Sequence, residues 1–364
     1  MFKDKELKNA LISIALPVAL QNLLTSLLNM IDTVMIGSLG DRAVAAVGLA
    51  NQWFFIFNLV VFGIVSGSTI YISQFYGKRD FDSMQLPVAY SMFLCFAASA
   101  IFAACSIVFP GFVMRLFTTD AQTIACGIPY LQVAGFTYLM LAISLPIASA
   151  MRATGFAVVP LIVTGSALCV NTFFNYVLIN GHFGAPALGV RGAAIATTIA
   201  RVFETVVIVS VMLSGKSKIR LKAHHFKINK TFLPAYIKTI IPVVGNETMW
   251  GLGISMYNAM FGRLNNSIVT ANQIARNLES ITTALCIGLG SAGAVIIGKK
   301  IGERNQPSAF LYAKKFAILS TVLGFFLGII MLASMPLYLS LYSEISDTAK
   351  TYASQLIAVF GIFM

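Results

Sequence analysis

The apolar run from about residue 10 to residue 37 carries a single ionisable side chain, Asp32. On a helix turning about 100° per residue, Gln21, Asn22, Thr25, Ser26, Asn29, Asp32 and Thr33 fall within one sector of about 140°. Leu23, Leu24, Leu27, Leu28, Met30 and Ile31 fill the opposite side. The pattern predicts a helix with one polar face turned toward a wet or protein-lined cavity, and Asp32 projects from that face. A carboxylate so placed could exchange a proton, or hold Na+ together with neighbouring amide oxygens. A structural hydrogen-bond acceptor, or a residue at the outer interface, is the competing reading. Ion coupling is favoured because acids inside apolar spans associate strongly with function.

Glu247 is the second candidate for the same chemistry. It follows Pro242 by one turn in Asn246-Glu247-Thr248, and a proline inside a helix frees carbonyls in the way that cavity-lining helices often show. Pairing with Lys238 is the alternative. Asn171 and Asn175 lie four apart and present two amides on one helical face. That suits a hydrogen-bonding cavity wall or interhelical packing. Arg201 with Glu204, and Arg276 with Glu279, are spaced three apart, and self-neutralising ion pairs are the expected arrangement. Trp53, Phe54, Phe55 and Phe57 are expected to contact lipid or core rather than an apolar ligand.

Composition fixes the kind of element that must hold these residues. Hydrophobic residues make up 58% of the chain and charged residues 10%, with a mean hydropathy of +0.84. A soluble domain carries about 25% charged residues, and so much apolar surface in water would leave large exposed patches. The sequence instead breaks into apolar runs long enough to cross a hydrocarbon core of about 30 Å. An all-α integral membrane protein follows. Cys95, Cys105, Cys126, Cys169 and Cys286 all lie inside apolar runs without metal-ligand spacing, and read as small packing residues. His182, His224 and His225 fall in turns or a lysine-rich loop. Neither a metal centre nor a nucleophilic triad is expected, which argues against a membrane-embedded enzyme. The net charge of +12 sits in loops beside the apolar runs, where basic charge sets topology, so nucleic acid is not an expected partner. Lys3, Lys5 and Lys8 lead straight into a long apolar helix, and no cleavable signal peptide is expected.

Ten spans are predicted, at about 10–37, 45–75, 87–110, 123–150, 156–180, 188–214, 235–262, 267–297, 310–334 and 349–364. With the N-terminus in the cytoplasm, most of the 25 Lys and Arg residues fall on the cytoplasmic side, including the basic loop after residue 214.

Sliding the sequence against itself by 225 positions gives a gapless match from Ala10 to Arg79. Pro17 falls on Pro242, Gly37 on Gly262, Gly63 on Gly288, Gly77 on Gly302 and Arg79 on Arg304. Aligned prolines, glycines and a post-helix Gly-[Lys/Glu]-Arg turn predict a duplicated six-helix unit. An even number of spans relates the two copies by an axis along the membrane normal, as in parallel-repeat transporters. Residues 1–214 are expected to form the first bundle, 215–234 a basic cytoplasmic linker, and 235–364 a second bundle of about four spans. The second copy stops at Met364, opposite about residue 139 of the first, so the repeat predicts a fragment of a chain of about 450 residues. The duplication sets Tyr257 opposite Asp32.

With Pro17, the run Asp32-Thr33-Val34-Met35-Ile36-Gly37-Ser38-Leu39-Gly40 resembles the first-helix motif of the multidrug and toxic compound extrusion (MATE) family. Gln74-Phe75-Tyr76-Gly77, Gly192-Ala193-Ala194-Ile195-Ala196-Thr197, and Asn246-Glu247 with Trp250-Gly251-Leu252-Gly253 support the likeness, which covers essentially the whole chain. The resemblance implies two six-helix lobes arranged as a V. It also implies a multi-pass cell-membrane antiporter, without a cofactor, that exports cationic or amphipathic organic compounds in exchange for H+ or Na+. Small organic substrates and membrane lipid are then the partners, and a monomer is expected. Asp32 matches the family's first-helix coupling carboxylate and Asn171 its cavity asparagine. Gln21, Asn22, Thr25, Asn29, Asn175, Thr197 and Tyr257 are the further expected cavity lining. Asn175 stands where one branch carries a second aspartate. Glu247 resembles the helix-seven acid of another branch but follows Pro242 more closely, and the tenth span shows no buried acid where that branch has one. H+ and Na+ both stay open. A lipid-linked precursor flippase of the same superfamily is the second reading. It is disfavoured because only Arg201 and Arg276 lie within spans, each with an acid nearby.

Overall fold

A computed structural model of the chain describes residues 4–37, 39–215, 217–264, 266–340 and 347–363, leaving undescribed the side chains of 29, 30, 33, 34, 41, 255, 258, 259, 261–264, 266–270, 273, 347 and 349. It is built of helices: α1 (Lys5–Ala10), α2 (Leu16–Gly37), α3 (Asp41–Gly77), α4 (Gln85–Val108), α5 (Pro110–Arg115) and α6 (Ala121–Ala153). These are followed by α7 (Val158–Asn180), α8 (Gly189–Leu213), α9 (Phe232–Leu264), α10 (Asn266–Gly302), α11 (Gln306–Ser340) and α12 (Asp347–Phe363). Among the described residues, eight helices are long and apolar enough to cross a membrane. Helices satisfy their own backbone groups, which hydrocarbon demands. The other two expected spans are helical as well. Lys238, Asn246, Glu247 and Thr248 dilute the apolar character of α9, and α12 has 17 residues.

Local chemistry sets the helix ends. The Asp4 side chain caps α1, accepting from the N–H groups of Glu6 at 3.1 Å and Leu7 at 3.3 Å. Asp120 caps α6 through the N–H of Thr123 at 3.0 Å. Gly181, at φ 77°, closes α7 in the left-handed conformation that favours glycine. Between α1 and α2, Leu11–Ala15 is π-helical, and the N–H of Leu16 reaches back to the carbonyl of Leu11. Pro17 follows immediately. Its missing N–H and its ring disturb the turn before it, and the wider π turn absorbs the disturbance. The irregular stretch expected around Pro242 is absent, because α9 runs through that proline as a continuous α-helix.

The duplication is visible in the backbone. Helices α3 and α10 each have 37 residues, with starts at Asp41 and Asn266 and ends at Gly77 and Gly302, both 225 positions apart. Arg79 and Arg304, also 225 apart, both adopt positive φ, 59° and 57°. Asn229 caps the start of α9 through the N–H groups of Thr231 at 3.0 Å and Phe232 at 3.1 Å, as Asp4 caps α1 225 positions earlier. Where the copies meet, a Cβ on Gly77 would strike the carbonyl of Lys299, and one on Gly302 would strike the carbonyl of Gln74. Gln74 and Lys299 are themselves 225 apart, so the two contacts are one contact repeated about a local two-fold axis. Gly63 against Val244 and Gly288 against Ala19 form a second such pair, and Ser73 against Gly298 lies on the axis itself. Helix α2 thus packs on α10, and α3 on both α9 and α10.

The face carrying the N-terminus is closed by two related seams. In one, Lys315 Nζ is 2.6 Å from Asp4, while Lys300 and Lys299 lie 3.0 and 3.4 Å from Glu6. The Tyr312 hydroxyl is 3.1 Å from Asp4 and 3.2 Å from Glu6. The counterpart of Lys315 is Tyr90, whose hydroxyl donates to the carbonyl of Lys227 at 3.1 Å and accepts the N–H of Asn229 at 2.7 Å. Gln85 ties the same segment down, donating to the carbonyl of Lys218 at 3.1 Å and accepting the N–H of Arg220 at 3.0 Å.

Gly302→Ala is expected to destabilise the protein by about 1–3 kcal/mol, read as a lower thermal midpoint in detergent, because the added methyl meets backbone that cannot step aside. The Asp4 carboxyl is held at about 2, below its ordinary 3.8, by its hydrogen bond to Lys315 and then by the Leu7 N–H and Tyr312. The sign follows from linkage: its stabilisation is complete above 3.8 and lost as pH falls through about 2. Thermal unfolding followed across that window should fall more steeply for the unaltered protein than for Asp4→Asn.

Candidate functional site

The polar face of α2 is covered by α7 and α8. The Asn175 Nδ2 on α7 donates to Asp32 Oδ1 at 2.6 Å and to Asn171 Oδ1 at 3.0 Å. Asn171 Nδ2 in turn donates to Thr197 Oγ1 on α8 at 3.3 Å, and Thr197 donates to the carbonyl of Ala193 at 3.0 Å. Both asparagines are 1% exposed. The four-residue spacing on α7 stacks the amides, so one aligns the next and the chain ends on the carboxylate. Asn175 Oδ1 is buried without a hydrogen-bond partner. The cluster therefore offers carboxylate oxygen and a bare amide oxygen, a donor set suited to a proton or a hard monovalent cation.

A small cavity opens next to this cluster. Its polar lining comes from Thr25 of α2, Thr164 and Asn171 of α7, and Thr197 and Arg201 of α8. Arg201 pairs with Glu204 at 2.7 Å, as their spacing predicts. Glu204 also accepts from Thr164 Oγ1 at 3.4 Å; Thr164 accepts from Gln21 Nε2 at 2.9 Å; and Arg152 reaches Gln21 Oε1 at 3.4 Å. Arg152, which the sequence pattern did not single out, lies in the last turn of α6 and turns inward to α2.

Other expectations fare differently. Asn22 is half-buried and outside the cavity lining. Asn29 lies outside the residues whose side chains are described. Among the described residues, none of α9 joins the Asp32 cluster or its cavity, and neither Glu247 nor Tyr257 is brought to it. Tyr257 is 61% exposed, on the face of α9 equivalent to the face of α2 that α7 covers. Glu247 and Lys238 do not pair. Nine residues apart, they point to opposite sides of α9. Arg276 and Glu279 form no ion pair either, and the Arg276 Nε is buried without a hydrogen-bond partner.

Asp82, His224 and His225 place their ligand atoms within 4.8 Å of one another, a convergence the sequence did not suggest. The ring of His225 decides its meaning. Its Nδ1 accepts the Lys222 N–H at 3.0 Å, so the neutral ring carries its proton on Nε2, which donates to Asp82 at 3.1 Å. Nε2 could bind a metal only by shifting that proton to Nδ1 and losing the backbone contact. The trio is a clasp between the loop after α3 and the segment before α9.

The MatE family profile matches residues 17–177 and 244–364. A protein named probable multidrug resistance protein NorM, from Thermotoga maritima, is 24% identical over 333 residues, 90% of this chain and 70% of that relative. The uncharacterized transporter YisQ of Bacillus subtilis is 25% identical over 376 residues, 99% of this chain and 80% of that relative. Among solved structures, the outward-facing conformation of a multidrug resistance MATE family transporter of the MOP superfamily aligns with a TM-score of 0.85 at 18% identity, covering 99% of this chain and 81% of the other. A MOP superfamily transporter from Pyrococcus furiosus, whose binding pocket is described as of reverse polarity, aligns with a TM-score of 0.82 at 18% identity over 99% and 81%. Fold and site together define a polytopic helical membrane transporter with two related halves and a carboxylate buried in the first. The chain belongs to the MATE family.

Asn175→Ala removes both the donor on Asp32 and the bond to Asn171. A loss of about 1–3 kcal/mol is expected, seen as a lower thermal midpoint of the purified protein.

Proposed function

We infer that this chain is a multidrug efflux antiporter that exports cationic or amphipathic organic compounds from the cytoplasm in exchange for H+ or Na+, with Asp32 as the coupling carboxylate. One observation carries the reading: Asp32 ends a buried amide chain and stands beside the unpartnered Asn175 Oδ1. A carboxylate held inside a helix bundle by an uncharged donor keeps its affinity for a cation, where a direct arginine partner would quench it. The names of the relatives support drug export, and the acid on the first long helix supports ion coupling.

Residues 1–214 and 235–364 act as two lobes joined by 215–234, lying in the cell membrane among lipid as a monomer with the N-terminus in the cytoplasm. The predominance of lysine and arginine on that side supports the orientation. Gln21, Thr25, Asn171, Asn175 and Thr197 form the first lobe's polar wall. Glu247 and Tyr257 face the transport path from the second lobe. Cation and substrate alternate: loading Asp32 removes the negative charge that attracts an organic cation, and unloading it restores that charge.

Efflux of a fluorescent cationic dye should fall at least about tenfold in cells carrying Asp32→Asn compared with the unaltered protein. Unchanged efflux would sink the coupling role of Asp32. Replacing Na+ by K+, with and without a protonophore, identifies the ion: loss on Na+ removal assigns Na+, and loss with the protonophore alone assigns H+.

A further inference from the structure

The function proposed above leaves Arg201, Glu204 and Arg152 unused. Two guanidinium groups and one carboxylate within or at the end of apolar helices are costly, and the cost needs a counterpart. Counting Asp32, this part of the protein holds two acids and two arginines. Its charge balances while Asp32 is bare, and one positive charge is in excess once Asp32 is loaded with a proton or Na+.

Arg201 is placed to respond to that change. It stands one turn along α8 from Thr197 and lines the same cavity as Thr197 and Asn171, the two residues that support Asn175 on Asp32. Here the guanidinium lines a small cavity beside hydroxyl and amide groups, and its side chain is 22% exposed. Glu204, by contrast, is fixed from the far side through Thr164, Gln21 and Arg152. One partner of the ion pair is held by this network, and the other lines the cavity.

We propose that Arg201 is a tethered counter-cation divided between Glu204 and Asp32: Glu204 holds it while Asp32 carries the coupling cation, and it turns toward Asp32 when that cation leaves. Arg201 is then a positioning residue that competes with the coupling ion for one carboxylate, and Glu204 sets the strength of the competitor. The other groups facing this space do not compete. Helix α7 contributes the neutral Thr164, Asn171 and Asn175. On α6, the Tyr130 hydroxyl is engaged with Asn51 at 3.3 Å, and Arg152 with Gln21. No lining residue comes from α10. The inference rests on Asp32 being the coupling carboxylate.

The experiment measures the half-saturating cation concentration of transport in proteoliposomes, as Na+ concentration or pH according to the ion. Arg201→Gln removes the competitor and should lower that concentration about tenfold, whereas Glu204→Gln frees the competitor and should raise it about tenfold. The double variant should follow Arg201→Gln, and Arg201→Lys should stay near the unaltered protein. Shifts of opposite sign are the signature, since a structural pair would lower activity and thermal midpoint together without moving the two constants apart. Should Glu204→Gln not fold, Glu204→Asp, with its charge drawn back, should raise the constant about threefold. Shifts of the same sign, or none in folded variants, overturn the proposal. If Asp32→Asn leaves the cation dependence intact, the coupling reading fails. If Asp32→Asn abolishes that dependence and the Arg201 and Glu204 variants do not move it, the counter-cation alone is wrong.

Discussion

Between two helices in hydrocarbon, burying apolar surface gains little, because lipid tails are as apolar as leucine; close van der Waals contact has to hold them together. The contact of α3 with α10 meets that requirement with backbone against backbone, Gly77 on Lys299 and Gly302 on Gln74. From it the remaining arrangement follows. Helix α3 carries α4, α6 and α9 against its other faces, and α10 carries α2, α11 and α12. The long helices of each copy thereby support the first helix of the other, so α2, with Asp32 on it, is positioned partly by the second copy. The seam of Asp4, Glu6 and the lysines reinforces this at one end.

Against this shared backbone the two copies differ in chemistry. On α2 the polar face is covered: Gln21 meets Thr164 and Asp32 meets Asn175. The equivalent positions on α9 are Asn246 and Tyr257. A buried carboxylate needs donors supplied by neighbouring helices, and in the first copy α7 and α8 supply them around α2. The closing seams differ in the same way. Lysine and aspartate meet in one, and tyrosine and asparagine in the other.

Much of this was legible in the sequence. Length and hydropathy identified the helices because hydrocarbon admits few other structures. Aligned prolines and glycines revealed the repeat because each marks a backbone position rather than a side-chain preference. The Asp32 face and the Asn171–Asn175 spacing were readable because helical periodicity fixes which residues share a side. What periodicity cannot fix is which helix covers a face, and the rest was hidden there. Thr164 gave no sign of bridging Gln21 and Glu204, nor did Arg152 of reaching Gln21 from the end of its helix. Arg201–Glu204 and Arg276–Glu279 have the same spacing, yet only the first pairs, since spacing permits a contact and the surroundings select it. Pro17 and Pro242 align, yet only Pro17 is preceded by a π turn.

Ser73 and Gly298 occupy a place where the repeat faces itself. Were the two units separate, identical polypeptides paired about the same axis, this residue would touch its own copy, and any substitution would act twice. Serine against serine would crowd, with the Ser73 Oγ already 2.5 Å and its Cβ 2.9 Å from where a Cβ on position 298 would stand. Joining both units in one polypeptide lifts that self-complementarity. One position can keep its hydroxyl while the other gives up its side chain, and inheritance of one no longer dictates the other.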